Sequence, residues 1–313
     1  MKKRLSLLAA LLMALPLFSQ QHSEYEAVAD AASQMRIVEH LCDSIMAGRA
    51  SGSDGSANAR RYIMNYLDQL QVQPFLYQST QKFYHKGGVQ MHNILAVVPA
   101  LGFSDKYVVV SAHYDHLGTI KGKTYPGADD NASGVSALLT LAQMFSQMRR
   151  DSVGPGVNIL FALFDGKEYS MAGSEHFVST LPIAADKIIC NVNMDILGST
   201  LVPPKGFGSN YMIVLGRGTL PRGRQNLIDS CNMAGGEPLE LDYTFYGSDE
   251  FTKTMYKLGD HYPFSKKGIP ALLFTSGFHN HTLKTSDTPA IVSGDVLARR
   301  TRLIFRVIDA LAQ

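Results

Sequence analysis

The chain has 313 residues, with 29 Lys and Arg against 27 Asp and Glu and a formal charge of +2. Three of those positive charges, Lys2, Lys3 and Arg4, precede the apolar run Leu5 to Phe18, and the net charge without residues 1–20 is −1. A balance so close to neutral excludes the basic surface that nucleic-acid or anionic-membrane binding needs.

The opening MKKRLSLLAALLMALPLFSQQ has the basic start, short apolar centre and small or polar end of a secretory signal peptide. Its apolar run falls short of the roughly 20 residues of a membrane span. No cysteine follows the run before Cys42, which disfavours a lipid anchor. The expectation is a signal peptide over 1–20, a secreted or periplasmic protein, and one domain over 21–313. Neither a repeat, a low-complexity linker nor a composition break divides that domain. Cys42, Cys190 and Cys231 lack metal-type spacing. One disulfide stays open, with Cys190, in an apolar run, expected as a buried thiol.

In chain order, helices are predicted over Ala27–Met46 and Ala57–Leu70. The run Tyr107–Val110 leads as a strand into Ser111-Ala112-His113. Asn131 or Ser133 then caps a helix with Val135, Leu138, Leu139, Ala142 and Phe145 at helical spacing. Val157–Phe164, Ile188–Met194, Tyr211–Leu215 and Ala271–Thr275 read as strands buried on both faces. Val296, Arg300, Leu303, Val307 and Leu311 mark a C-terminal helix. This alternation predicts an α/β fold, a mixed and mostly parallel central sheet with helices on both faces.

The chemistry-bearing residues fall at the carboxyl ends of those strands, where ligand sites of open α/β sheets lie. His113 offers an imidazole, and Asp115 can orient it by holding the other ring nitrogen. Asp130, beside Asp129 ahead of a helix, can bridge two cations. Glu168 and Asp195 supply further carboxylates, and zinc is bound by this kind of nitrogen and oxygen set.

The segments SAHYDHLG (111–118), YPGADDNASG (125–134), FALFDGKEYSMAGS (161–174) and VNMDILG (192–198) together resemble the di-zinc aminopeptidases of metallopeptidase family 28. Glutaminyl cyclases share that fold. The likeness extends from GRASGSDGSANARRYI (48–63) through MHNILAVVP (91–99) to GDHYPFSKKGIPALLFTSG (259–277) and SDTP (286–289). It implies a zinc-exopeptidase-like domain acting on peptide N-termini. One zinc would be held by His113, Asp130 and Asp195. A second would be held by Asp130, Glu168 and a late histidine, with a glutamate base at position 167.

Two of those positions depart from the pattern. Lys167 stands where the base belongs, and an ammonium cannot accept a proton. Counting back from Asp287 without a gap places Thr282 and Leu283 where Tyr-His is usual. His281 becomes the late ligand only if Leu283-Lys284 is an insertion. Lys167 would then serve as counter-ion to carboxylates that lack their full metal complement. Three readings stay open, with one zinc expected and two possible. They are a zinc aminopeptidase of weak or absent turnover, a non-catalytic secreted binding module, and a glutaminyl-cyclase-like acyltransferase.

Overall fold

The computed structural model describes residues 23–77, 79–85 and 87–313. The expected signal segment, 1–20, lies outside the described residues. Among these, no helix is long and apolar enough to cross a membrane.

The strands are β1 (Gln73–Pro74), β2 (Thr80–Tyr84), β3 (Gln90–Val98), β4 (Tyr107–His113), β5 (Gly118–Ile120), β6 (Lys123–Tyr125), β7 (Asn158–Phe164), β8 (Ile188–Met194), β9 (Tyr211–Leu215), β10 (Glu240–Asp242) and β11 (Ala271–Thr275). Strands β5 and β6 form a separate ribbon. The others make one sheet of order β1-β3-β7-β4-β8-β11-β9-β10, with β2 beside β3. The centre, β7-β4-β8-β11, is parallel, and β3 and β9 flank it antiparallel. Val110 faces Phe161 on one side and Val192 on the other.

Period-two alternation sends Val108, Val110, Phe161, Leu163, Val192 and Met194 to one face, and Val109, Leu160, Ala162 and Phe164 to the other. The first face is covered by α1 (Ala31–Leu41), α2 (Asp54–Gln69), α3 (Gly134–Arg150), α5 (Leu227–Ala234) and α8 (Gly294–Ala312). The second is covered by α4 (Ala172–Ser179) and α7 (Tyr262–Lys266), which bring Phe177 and Phe264 against Phe164. Burying each such side chain contributes roughly 1.5–3 kcal/mol. The last helix, α6 (Asp249–Tyr256), packs Met255 and Tyr256 beside β9.

The mixed, mostly parallel sheet with helices on both faces is the architecture the sequence predicts. The N-terminal helices differ at their ends. The first is α1 alone, because the Asp30 carboxylate caps it by accepting from Ser33 N–H. Asp43 then caps a separate turn over Ser44–Met46. The second begins at Asp54 rather than Ala57, because Ser53 Oγ accepts from Ser56 N–H. All three cysteines are free thiols.

Candidate metal centre

The carboxyl ends of β4, β7 and β8 open onto one crevice, and loops are tied there by side chains that a strand pattern does not reveal. Asn131 donates to the Met194 carbonyl and accepts from Ile196 N–H, joining the start of α3 to the end of β8. It also accepts from Gly134 N–H, so Asn131, not Ser133, caps α3. Asp129 accepts from Gly198 and Ser199 N–H. Asp287, fully buried, accepts from the N–H groups of both Asp129 and Asp130. The buried Arg49 donates to the carbonyls of Leu41, Tyr114, Pro126 and Gly127. These bonds fix Asp130 while leaving its side chain to the crevice.

His113 Nδ1 donates to the Asp115 carbonyl at 3.2 Å, so Nε2 faces the carboxylates. Nε2 lies 3.4 Å from Asp130 Oδ1 and 3.3 Å from Asp195 Oδ1. A tetrahedron with metal–ligand bonds of about 2.0 Å has edges of about 3.3 Å, so both separations from His113 Nε2 match an edge of a zinc ligand set. Burial works against charge on His113, but Asp195, Asp115 and Asp130 outweigh it and hold the ring protonated. A metal entering here must displace that proton.

A second group consists of His116, Asp130 and Glu168. Each offers a ligand atom within 4.8 Å of the others. His116 Nδ1 is 3.7 Å from Glu168 Oε1. Burial lowers the His116 pKa to about 4, so the ring is neutral with a lone pair to give. Burial, then the Asp130 charge, raises Glu168 to about 7. His116 was not singled out from the sequence. The spacing that could have found it is the second histidine of HYDH, directly after Asp115.

Lys167 Nζ lies 3.2 Å from Asp195 Oδ2. Burial opposes its charge, but Asp195 and then Asp130 outweigh that and keep it protonated above the ordinary lysine range. Asp195 is correspondingly held below the carboxylate range against its own burial, first by Lys167. The counter-ion role argued from the sequence concerned the Asp130 and Glu168 side, whereas the ion pair is made with Asp195. It leaves Asp195 Oδ1, which faces His113 Nε2, as the oxygen available to a metal. The Asp115 carboxylate lies 3.7 Å from His113 Nδ1 and accepts from the N–H groups of Lys167 and Glu168, so it organises the 167–168 turn.

His281 belongs to neither group. Its ring bonds Ser286 Oγ, and its N–H donates to His279 Nδ1. His279 in turn bonds Asp129 through Nε2 at 3.0 Å, which ties this loop to Asp129. Leu283 is 48% exposed on the same loop. The five residues His113, Asp115, Asp130, Glu168 and Asp195 are brought together, with Lys167 among them.

The donor set fits zinc through its dimensions at His113 and through the unpartnered ring nitrogens of His116. A glutaminyl-peptide cyclotransferase of Drosophila melanogaster is 25% identical over 244 residues, 74% of this chain and 67% of that protein. The fold superposes on the glutaminyl cyclase of Porphyromonas gingivalis with a TM-score of 0.69 at 20% identity, over 90% of this chain and 98% of that one. It superposes on a zinc aminopeptidase from Bacillus subtilis with a TM-score of 0.56 at 21% identity, over 71% of this chain and 50% of that one. The model of peptidase family M28 matches residues 93–308, well over half of the sequence, and the chain belongs to that family.

Proposed function

We propose that this protein is a secreted zinc-binding member of its family. Its crevice takes the amino end of a peptide, and its aminopeptidase-type hydrolysis is strongly suppressed. The observation that carries this reading is the Lys167 ion pair with Asp195. Bound zinc would polarise a carbonyl and acidify water. His113, Asp130 and Asp195 would hold it. Lys167 fills the position from which a base would take the water's proton, and a protonated amine has no lone pair for that task. Loss of a general base lowers rate roughly a hundred- to ten-thousand-fold.

Release of amino acid from unblocked aminoacyl anilides tests this reading, comparing the wild type with Lys167→Glu in the presence of zinc. Weak turnover that rises in the variant is the expected result. Robust, chelator-sensitive turnover in the wild type would overturn it.

A second reading, cyclotransferase-type acyl transfer, is favoured by coverage. The chain spans nearly all of the bacterial glutaminyl cyclase but half of the zinc aminopeptidase. The attacking amine in cyclisation also has to lose a proton, so Lys167 weakens this reading as well. Peptides that begin with glutamine belong in the same assay.

A further inference from the structure

We propose that His116, Asp130 and Glu168 form a second divalent-cation site, in which His116 supplies the imidazole that Leu283 and His281 do not. The inference rests on the zinc-binding reading above and extends it to residues of this chain.

Four observations converge on His116. Its side chain is fully buried, and neither ring nitrogen has a hydrogen-bond partner. Buried polar atoms without partners are costly and rare, and a cation would satisfy one of these nitrogens. The ring faces Glu168 Oε1 at 3.7 Å and shares a ligand-sized cluster with Asp130. A bed is also built for it. Gly127 has φ +61, and a Cβ there would lie 2.5 Å from His116 Cγ and 2.6 Å from Cδ2. Only a residue without a side chain leaves that space to the imidazole. Finally, Arg49 ties both walls together: its guanidinium donates to the Gly127 carbonyl, and its own carbonyl accepts from His116 N–H.

The alternative donors are committed elsewhere. His279 is bonded to Asp129, and the His281 ring to Ser286. The ion pair of Lys167 is with Asp195, on the side of the first group. One imidazole and two carboxylates suit zinc and similar first-row divalent ions. Asp130 belongs to both groups and would bridge the two cations. The ligand separations are wider than at His113, so the second cation binds more weakly.

The test is a cobalt titration of the chelator-stripped full chain, followed by visible absorption, with zinc content after desalting measured in parallel. The variants are His116→Gln, Gly127→Ala, His281→Ala and His113→Gln. The wild type should take up about two ions per chain, His116→Gln about one, and Gly127→Ala no more than one, since a Cβ there also lies 2.4 Å from the carbonyl oxygen of the shared ligand Asp130. His281→Ala should keep both. Two ions in His116→Gln, or one in His281→Ala, overturns the inference. A wild type that binds one ion, lost in His113→Gln, also overturns it but leaves the zinc-binding reading standing. No bound ion at all removes both. If His116→Gln does not fold, the wild-type His116 ring nitrogens are followed by NMR. A shift with the second equivalent supports the site, and none overturns it.

Discussion

His113 and Asp195 stand at the ends of β4 and β8, whose backbones are locked into the parallel centre of the sheet. Lys167, Glu168 and Leu283 stand on turns. The strand-end side keeps separations of 3.3 and 3.4 Å, matched to one zinc ion. The turn side carries Lys167 where the family resemblance implies a base, has no late-loop residue in its candidate ligand group, and meets His116 at 3.7 Å. Sheet register fixes atom positions to a fraction of an ångström, whereas a turn can exchange one residue for another with little effect on the fold. The same crevice therefore joins a strand-end half and a turn half, and Lys167 links them through Asp195.

The largest effect should come from restoring the turn side. Lys167→Glu is expected to raise zinc-dependent hydrolysis of aminoacyl anilides roughly a hundred- to ten-thousand-fold. An unchanged rate would show that the turn differs from an active one by more than its base. Removing the link itself comes next. Lys167→Met leaves Asp195 with His113 as its remaining partner, and removing one member of such a largely buried pair costs at most about 3–5 kcal/mol. Urea unfolding of the metal-free protein should show a loss of that order. Zinc should reduce the difference, because the metal supplies charge to the same carboxylate. Equal losses with and without zinc would mean that the metal does not reach Asp195.

Asp165, between β7 and the altered turn, gives a pH signature. Burial, then the Asp115 charge, raises its pKa from 3.8 to about 6. The folded chain therefore holds more protons between those values, and stability falls as pH rises through that window. About two units correspond to at most about 3 kcal/mol. Melting temperature against pH should show a decline from pH 4 to 6 that flattens in Asp165→Asn; parallel curves would remove Asp165 as its source. The smallest effect is expected at the shared ligand. Asp287→Asn weakens the support of the Asp129 and Asp130 N–H groups, and should cost about 1–3 kcal/mol in urea unfolding. Its effect on metal content should be spread over both groups, since Asp130 belongs to both. A loss confined to one group would show that Asp130 does not bridge.

The strands that carry the site were legible because they are buried on both faces. Tyr107–His113, Ile188–Met194 and Ala271–Thr275 are mostly apolar, and their ends fall where the sequence places them. The hairpin β2–β3 and the short β10 were not legible as strands, since polar residues such as Gln81, Lys82 and His92 break their pattern at the sheet's edge. His113, Asp130, Glu168 and Asp195 could be read as candidate ligands from residue type and position, and they fall in the two candidate groups. His116 could not be ranked above any other loop histidine until its burial and missing partners were known.

The sequence by itself determined the parallel centre of the sheet, the carboxylates at its edge and the amine at position 167 among them, because periodicity and residue chemistry are local properties. Only the tertiary structure decided that Lys167 pairs with Asp195, that His279 holds Asp129, and that Gly127 makes room for His116. Those are contacts between segments remote in the chain, such as the 150 positions between Asp129 and His279. They follow from how loops pack over the sheet, which no local pattern encodes.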